Sequence, residues 1–287
     1  MDDLVAPARD LRSLLTAVAV PGEADRRLTD KAVRALDDAG LFRLGTPRRY
    51  GGHEATLRTP VDVGAEADGA TGWVVTLVNA CAGVVNLFPE RRGTRCSART
   101  RSRRSPVRSR PPRGGTRGGR WPYASGIAHA DWALLGIPAG ETAGPRWRSS
   151  PVSDYVVERT WAVAGMRGTG SDTVVAQAVF VPGQRDVRTA AVLERVPVLA
   201  PYLTVVLAAP QLGLGRAALR IVREAAATKA VTGTAYARQA DSAVFRLRFA
   251  DAALKVDTVH LHCARAADDV DRASSEGGEM GGLARAR

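Results

Sequence analysis

The amino-acid sequence predicts an α+β fold in which helices come first, a small β region follows and long helices close the chain. Its 287 residues, 45% of them hydrophobic, are enough to bury a core for such a fold. Helical caps and helical apolar spacing mark residues 1–90. Short apolar runs between Gly, Pro and Ser clusters follow from Trp121, and the helical period returns from about Pro201.

The N-terminal part is predicted to be helical because residues that cap helices precede apolar residues at helical spacing. Thr29 is a preferred N-cap for a helix over residues 30–38. Thr59 and Pro60, as cap and first helical residue, predict the start of a second helix. Residues 71–88 are apolar on nearly all sides of a helix, which predicts that this helix is buried.

The middle and C-terminal parts differ in their apolar period. Strands are predicted over residues 132–137, 155–157 and 174–181, and long helices over 203–229 and 241–274. Leucines recur every seven residues in the last helix, which predicts a seam for packing on a neighbouring helix: Leu247, Leu254 and Leu261. The expected domains are an N-terminal helical domain, an Arg-rich segment, a middle β domain and a C-terminal helical bundle, at residues 1–90, 91–120, 121–200 and 201–287.

Composition points to the cytoplasm. Three cysteines cannot form a disulfide framework in a chain of this length, which favours a reducing compartment. The acidic, mixed start of the chain has no basic and apolar leader of the secretory kind. The longest apolar run, residues 73–88, is too short and too often interrupted by polar residues to span a bilayer, so no membrane association is expected.

The net positive charge comes from one segment, residues 91–120. It holds 12 arginines and no acidic residue, while the other 29 basic residues are balanced by 29 acidic ones. Such a composition cannot bury apolar surface and predicts disorder. Three explanations stay open: a displaced reading frame in DNA rich in G and C, a genuine solvated insertion, and an arm that binds nucleic acid. No aromatic residue is present there for base stacking, so a nucleic-acid partner is not expected.

Three motifs together resemble the acyl-CoA dehydrogenase superfamily. They are most similar to its reduced-flavin-dependent aromatic hydroxylases, the oxygenase components of two-component monooxygenases. The motifs are AGLFRLGTPRRYGG at 39–52, RWPYASGIAHADW at 120–132 and GMRGTGSDTV at 165–174. The resemblance covers roughly residues 25–90 and 120–287.

The resemblance implies a fold and an assembly. The N-terminal helical domain would be followed by a β-barrel-like domain and by a helical bundle that forms a homotetramer, with the flavin between the β domain and the bundle. Residues 91–120 would stand where the first β strands belong, which suggests a frame disruption there. The last bundle helices would be absent from this sequence, which makes the predicted bundle incomplete.

The motif residues also suit a flavin chemically. Residues 121–126 offer aromatic walls, a hydroxyl and a glycine that permits close approach, and residues 168–171 offer backbone N–H groups and two hydroxyls. Taken singly, each stretch is more typical of an ordinary turn or hairpin loop, and only together do the two favour a flavin site. The resemblance implies that Ser125 has a catalytic role beside the reactive face of the flavin. Cofactor contacts are expected from Trp121, Tyr123, Ser125, Gly126, Thr169, Gly170 and Ser171.

Departures from the family pattern shape the functional prediction. Family hydroxylases place a histidine in the buried helix where this chain has Cys81, which implies a substrate-facing position for Cys81. A second family histidine, one candidate for the proton acceptor, would lie beyond Arg287. Residues 236–249 lack the R-x-x-F-G flavin contact of acyl-CoA dehydrogenases, which favours the hydroxylase branch.

The sequence therefore predicts a monooxygenase that hydroxylates an aromatic or polyketide-like small molecule with O₂ and reduced FMN or FAD from a separate flavin reductase. Two alternatives remain: an acyl-CoA dehydrogenase-type FAD oxidoreductase, and a non-catalytic remnant or basic nucleic-acid tether.

No metal site is expected, because His260 and His262 would point about 200° apart on a helix. Gly213 and Gly215 spell a G-x-G-x-x-A motif within a helical pattern, so we interpret Gly213 as a helix-packing glycine.

Overall fold

The structure, a computed structural model, describes residues 3–67, 69–85, 114–138 and 144–277, and only the backbone of residues 114–117. The helices are α1 (Val5–Asp10), α2 (Arg12–Asp25), α3 (Asp30–Asp38), α4 (Arg58–Glu66), α5 (Gly69–Val85), α6 (Thr189–Arg195), α7 (Leu199–Ala226) and α8 (Ala243–Ser275). The strands are β1 (Gly114–Ala124), β2 (Trp132–Ile137), β3 (Arg146–Pro151), β4 (Val156–Glu158), β5 (Asp172–Pro182) and β6 (Asp186–Arg188). The predicted α+β order is confirmed.

The first predicted helix is confirmed at both its start and its end. Helix α3 spans Asp30–Asp38, and the hydroxyl of Thr29 accepts a hydrogen bond from the Ala32 N–H at 3.2 Å. This satisfies one of the N–H groups that every helix leaves open at its start. Val33 and Leu36 are buried on one face of the helix, as their spacing predicts.

The start of the second predicted helix is wrong by one or two residues. Helix α4 begins at Arg58, and the carboxylate of Asp271 on α8 accepts from the Leu57 and Arg58 N–H groups at 2.7 and 3.1 Å. A negative charge at a helix N-terminus is favourable, so this distant carboxylate replaces the local cap expected from Thr59. Residues 86–88 of the predicted buried helix lie outside the described residues, and α5 accounts for the rest.

The strands form two antiparallel three-stranded sheets, with the orders β1-β5-β4 and β2-β3-β6. The three predicted strands are confirmed as β2, β4 and β5, with small shifts at their ends. The described strands do not close on themselves, so the barrel-like closure expected of the β domain is not found among them. What they do form is a pair of open sheets, and residues of α5, α6 and α7 pack on the β2-β3-β6 sheet.

Strand β1 begins inside the segment for which the sequence predicts disorder. Residues 114–120 pair antiparallel with β5, and Gly115 stands opposite Val181. Backbone pairing needs no apolar side chains, which explains why composition missed this strand. Arg120 adds two hydrogen bonds to the Glu158 carboxylate on β4, at 2.9 and 2.6 Å. The other residues of the predicted segment, 91–113, lie outside the described residues.

One core joins the N-terminal helices to the long C-terminal ones. It contains residues of α4, α5, α7 and α8: Val61, Ala65, Ala80, Val206, Ala209, Leu212, Ala267 and Val270. Gly213 is buried in α7, where a Cβ would collide with the Ala67 carbonyl oxygen, so the helix-packing interpretation is confirmed. Of the described helices, α7 alone is long and apolar enough to cross a membrane, a test that core helices also pass.

The predicted leucine seam lies on the surface. Leu247, Leu254 and Leu261 on α8 are 72, 66 and 71% exposed. Their spacing does place them on one face of the helix, but no described element covers that face. Helix α8 uses other residues, such as Ala267 and Val270, to pack into the core.

Alkaline pH is expected to destabilise the protein through Tyr202 on α7. Burial of its side chain, with a smaller effect from Asp271, raises the pKa of the phenol from 10.0 to about 12. The unfolded phenol loses its proton near pH 10, while the folded one keeps it up to about pH 12. Stability from this group is therefore complete below pH 10 and falls as the pH rises towards 12, by about 2–3 kcal/mol in all.

Urea unfolding measured between pH 9 and pH 12 checks this expectation. Tyr202→Phe should flatten the decline of the free energy of unfolding, whereas Tyr236→Phe, at an exposed position, should leave it as in the parent chain. If the free energy of unfolding declined with pH equally in Tyr202→Phe and the parent chain, the decline would not come from the Tyr202 phenol.

Candidate functional site

A cavity of about 330 Å³ lies between α5, the end of β1 with the turn after it, and β2. No Asp, Glu, Lys, Arg or His lines it among the described residues, so its walls are neutral and mostly apolar. The structure brings five of the predicted site residues to its wall: Cys81, Trp121, Tyr123, Ser125 and Gly126. Two stretches that are distant in sequence thus face one another across a space that suits a small ligand.

The Ser125 hydroxyl is the first of three hydroxyls in a row. Its oxygen lies 2.7 Å from the Ser171 oxygen, which lies 2.7 Å from that of Thr169. The Thr169 hydroxyl in turn donates to the carbonyl oxygen of Met166 at 2.8 Å. Thr169 and Ser171 are buried and do not line the cavity. They therefore reach the cavity only through Ser125.

Trp73 is a site residue that the sequence analysis missed. Its indole Nε1–H on α5 donates to the Ser125 oxygen at 3.0 Å. Within an apolar helix a tryptophan is typical of the core, and its polar partner stands 52 residues further along the chain. No local pattern in the sequence indicates that contact.

Most backbone N–H groups of the 168–171 loop are already used within the protein. Arg167 and Gly168 donate to the Glu23 carboxylate on α2 at 3.2 and 3.1 Å. Thr169 and Gly170 donate to the carbonyls of Met166 and Arg167. The structure therefore does not place Thr169 and Gly170 at the cavity, and the direct cofactor contacts expected of them remain a prediction.

Glycine is required at two turns that shape the site. Gly126 has φ +73°, and its N–H donates to the Thr169 carbonyl at 2.7 Å. Gly170 has φ +54°, and a Cβ there would come within 3.0 Å of the Arg26 carbonyl oxygen. Both are left-handed conformations that side chains disfavour. The two turns hold the second and third motifs against each other.

The aromatic residues of the second motif differ in their placement. The Trp121 indole donates to the Gly136 carbonyl at 2.7 Å and forms part of the cavity wall. Tyr123 is 73% exposed, with φ +64°, and its ring meets that of Trp161 edge-on at 6.0 Å. Tyr123 therefore borders the cavity mouth rather than enclosing the cavity.

The histidine and cysteine cluster on α8 has a structural explanation. His260 accepts from Arg216 at 2.9 Å through Nδ1, because arginine can only donate, and so its Nε2–H donates to Asp62 at 3.1 Å. Cys263 packs in the core, and burial raises the pKa of its thiol. Within the described ranges, no group of three or more His, Cys, Asp or Glu side chains is placed to hold a metal ion.

Comparison with known proteins gives consistent similarities. No family model matches the sequence. The chain is 35% identical over 173 residues to the oxygenase subunit HsaA of a flavin-dependent monooxygenase from Rhodococcus jostii, covering 56% of this chain and 45% of the relative. It is 32% identical over 196 residues to the oxygenase component of an FADH2-dependent resorcinol hydroxylase from Rhizobium sp. This match covers 63% of this chain and 48% of the relative. The chain thus spans about half the length of these curated relatives.

A solved structure extends the similarity to nearly the whole chain. XiaF from Streptomyces sp., in complex with FADH2 and glycerol, superposes with a TM-score of 0.84 at 30% identity, covering 98% of this chain and 78% of that one. The arrangement of helices and sheets agrees with the acyl-CoA dehydrogenase-like fold expected from the motifs. By fold and by sequence, the chain belongs to the family of flavin-dependent monooxygenase oxygenase components.

Proposed function

We propose that this chain acts as the oxygenase component of a two-component monooxygenase, with reduced FMN or FAD and an aromatic small molecule bound at the cavity between α5 and β1. The observation that carries the proposal is the uncharged cavity itself. Its Ser125 hydroxyl is held in place by neighbouring groups on one wall, and Cys81 stands on another. The family membership points to the same chemistry.

The residues of this chain would bind, orient and exclude water. Trp121 and the apolar side chains of α5 would help to exclude water from a bound flavin, which would strengthen hydrogen bonds made to its ring. Ser125 offers a hydroxyl to the flavin ring, and Gly126 lets the backbone approach closely. Bound reduced flavin would supply the electrons that activate O₂ for hydroxylation.

The substrate class follows from the size and polarity of the cavity. About 330 Å³ lies at the lower end of small-molecule pockets, and the flavin ring would share this space, so a small aromatic substrate is favoured. The absence of charged side chains from the described walls favours a neutral substrate. An acyl-CoA dehydrogenase would need a carboxylate base at its substrate, and the described lining contains none.

The assembly and partners are further parts of this proposal. A separate flavin reductase would supply the reduced flavin. The exposed leucine seam of α8 supports a homo-oligomer, the tetramer in our prediction, because a monomer rarely leaves such an apolar face open. We retain the proposed domain limits at residues 90 and 200 and a cytoplasmic location, and we move the start of the β domain from residue 121 to Gly114, where strand β1 begins.

The test of this function is anaerobic titration of the chain with reduced FMN and FADH2, followed by oxygen and a panel of phenols. We expect saturable binding of reduced flavin and incorporation of one atom of ¹⁸O₂ into an aromatic product, measured by mass spectrometry. Failure to bind any flavin would overturn the proposal.

Replacing the cavity hydroxyl should weaken the flavin site. Ser125→Ala is expected to raise the Kd for reduced flavin about tenfold, because one hydrogen bond to the ring is lost. The exposed Ser153→Ala serves as the matched control and should bind as the parent chain does. Equal Kd values for the parent chain, Ser125→Ala and Ser153→Ala would show that Ser125 does not contribute to flavin binding.

A further inference from the structure

The three hydroxyls behind the cavity form a row that ends on a carbonyl group. Three contacts link them in order: Ser125 to Ser171 at 2.7 Å, Ser171 to Thr169 at 2.7 Å, and Thr169 to the Met166 carbonyl oxygen at 2.8 Å. Oxygen atoms approach this closely only with a hydrogen between them, since their lone pairs otherwise repel. Each of the three contacts therefore needs one hydroxyl proton.

The direction of the row follows from counting protons. A carbonyl oxygen can only accept, so the proton of Thr169 points to Met166. The proton between Thr169 and Ser171 must then come from Ser171, and the one between Ser171 and Ser125 must come from Ser125. All three protons are used, and all point away from the cavity.

A contact on the other side of Ser125 shows that its oxygen acts as a hydrogen-bond acceptor. The Trp73 indole has only a donor to offer, and it donates to Ser125 at 3.0 Å. A hydroxyl oxygen has two acceptor positions, of which Trp73 occupies one. Among the described residues, the Ser125 oxygen thus has one acceptor position without a partner and no free proton.

We infer that Trp73, Ser171 and Thr169 are positioning residues that hold Ser125 as a hydrogen-bond acceptor, so that the site selects the reduced form of its flavin. The inference rests on the proposed function. Where the ring of reduced flavin carries an N–H, the same nitrogen of oxidised flavin carries a lone pair. An acceptor hydroxyl attracts the first and repels the second, whereas a freely rotating hydroxyl serves both equally.

The preference can be measured as the ratio of the Kd for oxidised flavin to the Kd for reduced flavin, under anaerobic conditions. Thr169→Val removes the group that receives the Ser171 proton, so the protons of Ser171 and Ser125 can turn towards the cavity. We expect the ratio to fall about tenfold relative to the parent chain, the equivalent of one hydrogen bond. Ser171→Ala interrupts the same row by a different route and should lower the ratio to a similar extent.

A neighbouring pair of hydroxyls provides the matched control. The oxygens of Thr160 and Thr173 lie 2.7 Å apart, and neither belongs to the row of Ser125, Ser171 and Thr169. Thr160→Val makes the same chemical change nearby and should leave the ratio at the parent value. Thermal unfolding of each variant identifies any loss that comes from misfolding, and Ser171→Ala keeps the test decisive if Thr169→Val does not fold.

The possible outcomes separate this inference from the proposed function. Flavin binding with an unchanged ratio in folded Thr169→Val and Ser171→Ala would overturn the inference and leave the proposed function standing. A parent chain that binds neither form of flavin would overturn both. A ratio that falls equally in Thr160→Val would assign the effect to general destabilisation and also overturn the inference.

Discussion

Gly213→Ala is expected to lower the free energy of unfolding by more than about 3 kcal/mol, or to prevent folding altogether. Gly213 lies on α7 at its closest approach to the end of α4. A Cβ at this position would overlap the Ala67 carbonyl oxygen and come within 2.8 Å of the Gly64 carbonyl oxygen. Both obstacles are backbone atoms, so no change of rotamer relieves them, and the two helices must move apart through the shared core.

Gly83→Ala is the matched control for this prediction. Gly83 is also a helical glycine, but a Cβ there would meet none of the described residues within 4 Å. The change should be neutral or stabilise α5 by up to about 1 kcal/mol, because alanine favours helix. Urea unfolding, or soluble yield where the variant does not fold, provides the comparison. A Gly213→Ala protein within 1 kcal/mol of its parent would show that α4 and α7 do not pack as described.

Cys81→Trp is expected to reduce kcat/KM for an aromatic substrate at least about a hundredfold. The cysteine lines the cavity from α5, so the larger side chain would fill space that the proposed substrate needs. Because the volume is taken from an open cavity and not from packed core, the free energy of unfolding should change little. Steady-state hydroxylation with reduced flavin supplied in excess gives the measurement.

Cys81→Ala tests whether volume or the thiol itself is responsible. Alanine removes the sulfur without filling the cavity, so it should retain most of the activity. If Cys81→Trp and Cys81→Ala lose activity equally, the thiol has a chemical role and the steric explanation fails. If neither loses activity, the substrate binds elsewhere.

The sequence was sufficient for elements whose determinants are local. Thr29 caps α3 as expected, because the capping hydroxyl and the N–H group that donates to it lie three residues apart. The cap of α4 was not predictable, because Asp271 is brought to it from α8, more than two hundred residues away. The start of strand β1 was not predictable for a related reason. Its glycines and arginines pair through the backbone with β5, and amino-acid composition does not indicate such a partner.

The candidate site divides in the same way. Ser125 could be named from a motif and Cys81 from its place in the family's buried helix, and the structure brings both to one cavity. The contact of Trp73 with Ser125 could not be named, because the indole partner is chosen by the packing of α5 against the β region. The hydrogen bond from the Gly168 N–H to Glu23 was not predictable either, because it depends on how α2 packs on the loop.

The contacts that hold Ser125 have a consequence for the order of folding. Trp73 and Ser125 are 52 residues apart, Ser125 and Ser171 are 46 apart, and Glu23 and Gly168 are 145 apart. Closing such loops is slow, because entropy is lost before any contact compensates for it. A growing chain on the ribosome cannot form the complete hydroxyl row until Ser171 has emerged. A flavin bound at Ser125 would therefore meet the complete site only after α5, the turn after β1 and the loop before β5 have come together.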